Sequence, residues 1–290
     1  MPDRKRKQKP EVSIIGTGRL GTALAVALAH RGYPLRSLVA RRVQKARRAA
    51  GFVDAEVQVL AAKQLRSLAP ADLFLITVPD DQIASVAAEL SRLEFGGTKT
   101  TALHTSGALS AEVLAPLRDR GWHTGSVHPL ISVSDGDAAL SGGFWSVEGD
   151  QTALRLGRAI VRDLGGTSFS IRSEDKPLYH AAAVMTSGNV VALFDVALEM
   201  LVQCGLTRKE ARTVLLPLID STVQSLTTKD PSAALTGTFS RGDVETVKRH
   251  LAALKRNQLP EALELYRLLG QRSLKLTKKH ARITEILKSV

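Results

Sequence analysis

Short apolar runs alternate with amphipathic segments through the first half of the chain, and long helical periodicity takes over in the second. The apolar run at 12–15 ends in glycines, as a short buried strand does. Residues 19–31, rich in alanine and leucine, predict a helix, 35–40 a second strand, 43–50 a basic helix and 57–59 a weak strand. Leu73, Phe74, Leu75, Ile76, Thr77 and Val78 form a continuous apolar run of the kind found in buried parallel strands. Pro79, Asp80 and Asp81 close it and open a helix over 82–90, since proline and acids mark helix starts. Further strands are predicted at 100–105, 124–127, 144–149 and 167–171, with helices from about Ala111 and over 152–163.

After Ser173 only helices are predicted. One long segment covers 174–203, and another covers 207–227 with Pro217 as a kink. Asp243 caps a third, with Thr246 near its first turn, and two more fill 260–269 and 272–287. The pattern divides the chain into a basic tail (1–10), an α/β domain (11–172) and an all-α domain (173–290).

The first turn carries chemistry. Gly16, Thr17, Gly18, Arg19, Leu20 and Gly21 spell G-x-G-x-x-G between a strand and a helix, with a second strand on schedule. That is the βαβ unit of a Rossmann dinucleotide-binding domain. Gly16 permits the turn, Gly18 lets backbone approach a pyrophosphate, and Gly21 lets helix and strand pack. The helix N-terminus offers N–H groups and a positive dipole end. A tight turn with no ligand is the alternative. Where an NAD site carries an acid at the end of the second strand, this chain has Arg41 and Arg42. A guanidinium pairs with a 2′-phosphate and an acid repels it, so the expected cofactor is NADP(H). Alternatively, both arginines only begin the basic helix, because Lys45, Arg47 and Arg48 continue the run.

Ligands of open parallel sheets bind beyond the carboxyl ends of the strands. Val78 and Pro79 are therefore expected to border the cofactor's ribose and nicotinamide. The segment His104, Thr105, Ser106, Gly107 is expected where nicotinamide meets substrate, with His128 nearby. Each histidine alone equally fits a structural role.

Composition narrows the classes. The 290 residues suffice for two domains, with 44% hydrophobic and 23% charged residues. The single cysteine, Cys204, excludes an intrachain disulfide and a cysteine metal cluster, and no metal site is expected. It suits a reducing cytoplasm, and its apolar setting predicts a small core residue. The basic, polar N-terminus is not a signal-peptide h-region. The net charge of +12 would steer an anionic cofactor and a carboxylate substrate. Aromatics are only 4% and do not interleave with basic residues, which argues against a specific nucleic-acid partner. The apolar stretch 181–202 contains Asn189, Asp195 and Glu199, and so predicts a buried helix rather than a membrane span.

On that helix Lys176, His180 and Ser187 fall within about 40° of one another at 100° per residue. The face presents an amine, an imidazole and a hydroxyl amid alanines, as a polar substrate pocket requires. Asn189 joins it only if Gly188 disturbs the helix. A capped helix start with His180 in solvent is the alternative.

Five stretches together resemble a known group: Gly16 to Gly21; His104 to Leu109; Ser126 to Leu130; Lys176 to Ala183; and Leu235-Thr236-Gly237 through Arg241-Gly242-Asp243. They look like bacterial Rossmann-like reductases whose C-terminal domain is of unknown function, over about residues 11 to 270. The wider class includes ketopantoate reductase, pyrroline-5-carboxylate reductase and the β-hydroxyacid dehydrogenases. The resemblance implies a hydride-transfer enzyme whose helical domain closes over the cofactor, often as a homodimer through that domain. Two stretches depart from the pattern: Ser187-Gly188-Asn189 replaces an adjoining Ser-Asn, and Thr238-Phe239-Ser240 stands where relatives carry a proline turn.

The expected reaction moves hydride from NADPH to the C=O (or C=N) of a small carboxylate, a ketopantoate-like 2-keto acid first. Lys176 is the first choice of general acid and His180 the second. Ser187 and Asn189 would bind substrate, while His128 and Ser106 approach from the nucleotide-binding side. The rivals are an NADP-responsive binding protein without turnover, an imine reductase, and a reductase using a deazaflavin, against which the arginine pair speaks.

Overall fold

A computed structural model describes residues 8–53, 56–95, 100–131, 140–277 and 281–288. Most of the basic tail lies outside the described residues. The chain forms two compact units, Met1–Thr186 and Ser187–Val290.

In the first unit the strands are β1 (Val12–Ile15), β2 (Leu35–Ala40), β3 (Gln58–Ala61), β4 (Leu73–Ile76), β5 (Thr101–His104), β6 (His123–Pro129), β7 (Phe144–Gly149) and β8 (Thr167–Ser170). They make one sheet in the order β3-β2-β1-β4-β5-β6-β7-β8. The first six run parallel, β7 is antiparallel to β6, and β8 is parallel to β7. The order 3-2-1-4-5-6 is that of the doubly wound dinucleotide-binding sheet, with its switch point between β1 and β4.

Both faces of the sheet are covered, which is why the central strand β4 is apolar at every position. On one side Val12, Ile14, Leu73, Leu75 and Leu103 pack with α1 (Arg19–His30), α2 (Val43–Ala50) and a later helix over Gln151–Asp163. On the other, Ile15, Phe74, Ile76 and Ala102 pack with α3 (Asp80–Leu90) and α4 (Ala115–Arg118). The alternation of Leu73 and Leu75 with Phe74 and Ile76 is the two-residue period of a strand.

The helix over Gln151–Asp163 is α5, and Asp150 caps it by accepting from the N–H groups of Thr152 and Ala153. The helix expected from Ala111 is instead a 3-10 turn, Ala111–Leu114, followed by the single turn of α4. Pro116 and the neighbouring short connections leave little chain for more.

The long helix expected over 174–203 is two helices. A 3-10 turn, Ser173–Asp175, leads into α6 (Lys176–Thr186), and α7 spans Gly188–Gln203. Ser187 between them has φ −123° and ψ −83°, outside the helical range. The compact boundary therefore falls at Ser187 and not at Ser173, and α6 belongs with the sheet.

The second unit holds α7, α8 (Arg208–Thr228), α9 (Pro231–Ala234), α10 (Thr238–Arg241), α11 (Val244–Arg256), α12 (Pro260–Leu276) and α13 (Ala281–Lys288). Thr207 and Glu210 form a capping box at α8, which runs through Pro217. Asp243 caps α11 by accepting from Thr246 N–H at 3.0 Å. Its core gathers Val247, Leu251, Leu274, Ile283 and Leu287. The helix that begins at Pro260 continues past the expected end at 269 to Leu276.

Two burial expectations are overturned. Cys204, expected in the core, is exposed. The stretch 181–202 is not buried: Leu198 is the buried residue of α7 and Lys176 that of α6. Its apolarity (mean hydropathy 1.6) passes the length and composition test for a membrane span. The break at Ser187, however, leaves helices of 11 and 16 residues. Each falls short of the roughly 20 residues a bilayer core needs.

Candidate active site

A cleft of ≈ 340 Å³ opens at the ends of β1, β2 and β4, lined by Gly16, Thr17, Gly18, Ala40, Arg41, Arg42, Lys45, Thr77, Val78, Pro79 and Gln82. Gly16 has φ +110°, and a Cβ there would lie 2.7 Å from the Thr77 carbonyl. The turn is thus glycine by both conformation and space. A Cβ on Gly21 would collide with the Gly16 carbonyl, so Gly21 serves packing and does not line the cleft. Gly18, in contrast, has open space above it and is the N-cap of α1, with no side-chain cap and no acid in the first turn.

These residues fit a pyrophosphate. The first N–H groups of α1 lack a capping side chain, and the buried Thr17 Oγ1 has no hydrogen-bond partner among the described residues. Arg19 lines an adjoining cleft of ≈ 410 Å³ with Thr17, Gly18, Lys45 and Arg48. Leu20 packs into the core instead. Lys45 faces both clefts. Lys45, in the first turn of α2, joins Arg41 and Arg42 at the cleft, a role that the basic run alone does not single out.

A second polar centre lies on the same unit. Ser126 and His128 alternate onto one face of β6, and Lys176, Tyr179 and His180 share one face of α6 by their i, i+3, i+4 spacing. Lys176 is 1% exposed; its Nζ donates to the Ser106 carbonyl at 3.1 Å and to Ser126 Oγ at 2.6 Å. Burial pulls its pKa down to about 8, opposed by the carboxylates of Glu148 and Asp80.

Ser106, expected against the nicotinamide, turns inward. Its Oγ donates to Asp80 Oδ2 at 2.8 Å and accepts from the N–H groups of Ala108 and Leu109. It locks a turn rather than lining the cleft. Asp80 adjoins Pro79, a cleft residue, so this bond ties the dinucleotide cleft to the second centre.

His104 is structural: Nδ1 accepts from Ser106 N–H and Nε2 faces the Ser110 carbonyl, both at 3.2 Å. Burial, then the charge of Lys176, lowers its pKa to about 3. His128 is lowered to about 4, by burial first and then by His180 and Lys176. Its ring stands edge-on to His180, with centroids 5.6 Å apart.

Gly107 makes this meeting possible. A Cβ there would lie 2.5 Å from His180 Nδ1 and 2.8 Å from His128 Nε2, so the two imidazoles pack directly on the glycine, where no larger side chain fits. His180 Nδ1 is buried with no hydrogen-bond partner among the described residues.

Ser187 and Asn189 belong to the second unit and are exposed there, and the helical projection that linked Ser187 to Lys176 ends at Thr186. The helix does break near Gly188, but one residue earlier, at Ser187. Tyr179, whose hydroxyl lies 2.8 Å from His128 Nδ1, was quoted in the sequence motif without a role. Only the pairing of β6 with α6 reveals one.

The sheet order, the glycine turn and the basic cleft define the class: an NAD(P)-dependent oxidoreductase-like fold. Within it, the chain combines a Rossmann-like domain, matched over residues 2–129, with the domain of unknown function DUF2520, matched over 144–273. No curated protein matches the sequence. Among solved structures, BF3122 of Bacteroides fragilis, described as a candidate NADP oxidoreductase, is similar with TM-score 0.75 and 23% identity, covering 92% of this chain and 99% of that one. A pyrroline-5-carboxylate reductase from Coxiella burnetii gives TM-score 0.57 and 17% identity over 93% and 100%. A reductive aminase from Aspergillus terreus, solved with NADPH, gives 0.67 and 15% over 92% and 94%. At these identities the likeness is one of fold.

The buried histidines set an acid limit on stability. Both have folded pKa values below the usual 6.5, so below that pH the unfolded chain binds more protons. Their contribution is complete above about 6.5 and is lost as pH falls towards about 4 for His128 and about 3 for His104. In denaturant titrations between pH 6 and about 4.5, His128→Gln should flatten the fall in unfolding free energy by up to about 1.4 kcal/mol per pH unit. An unchanged slope would contradict burial of a neutral His128.

Proposed function

We propose that the protein is an NADPH-dependent reductase that delivers hydride to the carbonyl carbon of a small carboxylate substrate, with a 2-keto acid of the ketopantoate type as the first choice. The observation that carries this reading is the basic cleft at the glycine turn, lined by Arg41, Arg42 and Lys45, on the same unit as a buried ammonium and two imidazoles.

The cofactor, when bound, supplies the hydride. Thr17 and the first N–H groups of α1 hold its pyrophosphate. Arg41, Arg42 and Lys45 hold the 2′-phosphate, and Val78 and Pro79 wall the cleft. His180 donates the proton to the substrate oxygen. It takes precedence over Lys176, whose Nζ is committed to Ser106 and Ser126. Lys176 contributes positive charge from behind the turn. That charge favours an oxygen gaining negative charge over an iminium, which is already cationic, and so supports carbonyl reduction over imine reduction.

A second copy of the chain is the partner we assign to the apolar face of the second unit, where Val191, Val214, Leu218, Val223 and Leu226 are each more than half exposed. The exposed pair Arg208–Asp195 lies on the same helices, which suits a protein partner better than lipid.

Three measurements test these assignments. Arg41→Ala should weaken NADPH binding by about 10–100-fold, the value of one or two charge-assisted bonds, and leave NADH binding unchanged. An equal effect on both would remove the 2′-phosphate assignment. In stopped-flow oxidation of NADPH against 2-keto acids and cyclic imines, a keto acid should turn over, and His180→Ala should slow it by about 10²–10⁴ with NADPH affinity kept. Turnover of imines alone would reverse the carbonyl assignment, and binding without any turnover would make the protein a sensor. Light scattering should give about twice the 31.2 kDa chain mass, reduced to the single mass by Val191→Asp. A monomeric wild type would reject the shared face.

A further inference from the structure

The second unit holds a cavity that the proposed reductase chemistry does not use. A chamber of ≈ 300 Å³ lies between the end of α7, the second half of α11 and α12. That is about the size at which small-molecule pockets begin. Met200, Leu201, Leu254 and Leu259 make its lining apolar, and the short side chain of Ala253 keeps it roomy. A smaller apolar chamber of ≈ 140 Å³ adjoins it, and Met200 and Tyr266 line both. Tyr266 joins the two in chemistry as well. Its ring lies 5.5 Å from that of Phe239, which lines the smaller chamber, and its hydroxyl lies 2.7 Å from His250 Nδ1, which lines the larger.

The lining selects the ligand. Among the described residues, no Asp, Glu, Lys or Arg lines either chamber. A charged ligand would therefore lose its hydration without gaining a partner. Burial pushes the Tyr266 phenol up to about 12, so it is uncharged at neutral pH. The Asn257 side-chain amide is committed to the Ala253 carbonyl, to which it donates at 2.8 Å. The Tyr266–His250 pair is left to orient a ligand, and a phenol oxygen that makes one bond still has a lone pair for a donor. The Met200 thioether and the Tyr266 ring favour an aromatic body.

We propose that this cavity is a binding site for an uncharged aromatic small molecule carrying one hydroxyl or N–H group, with its ring against Met200, Leu254 and Leu259 and its donor on the Tyr266 oxygen. The site is built wholly from the second unit. It is distinct from the face assigned to a second copy, since Val191, Val214, Leu218, Val223 and Leu226 line neither chamber.

Cys204 provides the readout, because it lines the larger chamber, is exposed and is the single cysteine of the chain. In the full-length protein, 2-naphthol should bind in a calorimetric titration. At ten times its Kd it should slow the modification of Cys204 by N-ethylmaleimide, followed by mass, by about tenfold. Naphthalene-2-sulfonate, the same ring system with a charge, should bind at least about tenfold more weakly. Tyr266→Phe keeps the ring and removes the hydroxyl, and should weaken 2-naphthol by about 2–10-fold. Ala253→Phe should fill the chamber and abolish protection, with folding checked by circular dichroism; if that variant unfolds, Tyr266→Phe decides. Absence of protection by 2-naphthol, or protection unchanged in the folded variants, overturns the site. Equal binding of the sulfonate overturns the uncharged class. Modification that slows as protein concentration rises, with no probe present, would make the cavity an interface between copies and overturn the proposal.

Discussion

One ammonium group fixes the geometry of the second centre. Lys176 is the first residue of α6, and its Nζ is bound to the Ser106 carbonyl after β5 and to Ser126 Oγ on β6. Taking a charge out of water costs several kcal/mol per ion unless partners compensate. Here two acceptors and the fields of Glu148 and Asp80 do so in part, and the depressed pKa of about 8 records what remains. Because the anchor sits at the start of the helix, it sets both the height and the rotation of α6 over the strand ends. One turn later, about 6 Å along the axis, His180 arrives against Gly107. The lysine's importance is therefore architectural before it is chemical. A shorter or uncharged side chain would release the helix that carries the imidazole.

The two halves of the site are joined by a short path of strong bonds. Pro79 walls the dinucleotide cleft; the next residue, Asp80, accepts from the Ser106 hydroxyl; the residue after Ser106 is the glycine on which the imidazoles converge. Glu148 braces the far side, accepting from Ala111 N–H and from the Ser173 hydroxyl. A cofactor held in the cleft would thus be referenced to the same turn that carries the imidazoles. That turn is rigid because Ser106 is bonded through its side chain, its N–H and its carbonyl together.

The glycine turn and the basic cleft beside it were legible in the sequence because their constraints are local. Gly16, Gly18 and Gly21 each answer to a turn, a cap or a contact within a few residues or with the adjoining strand end, and Arg41 follows from strand length. The second half was legible only as a list. Spacing put Lys176 and His180 on one face, but whether an amine faces substrate or protein depends on what the helix docks against, and Ser106 and Ser126 lie 70 and 50 residues away. The projection to Ser187 fails for a similar reason: it assumes that the helix continues past Thr186. Tyr179 acquires meaning only through its contact with β6, which no periodicity encodes.

The apolarity of 181–202 is informative because the chain does not bury it. A helix hydrophobic on most sides is ordinarily a core helix, yet α7 buries Leu198 and leaves Val190, Val191 and Leu193 more than a third exposed. The neighbouring α8 does the same with Val214, Leu216, Leu218, Val223 and Leu226. Each buried aliphatic side chain is worth about 1.5–3 kcal/mol, so a surface of this kind is costly to leave in water. Lipid is a poor cover for it: the segment is broken at Ser187, its helices are short, and Asp195, Glu199 and Arg208 are interspersed. A proteinaceous cover of the same length and pattern satisfies both the apolar residues and the paired charges. The second copy proposed above would meet that description, because an isologous contact sets each apolar position against an equivalent one.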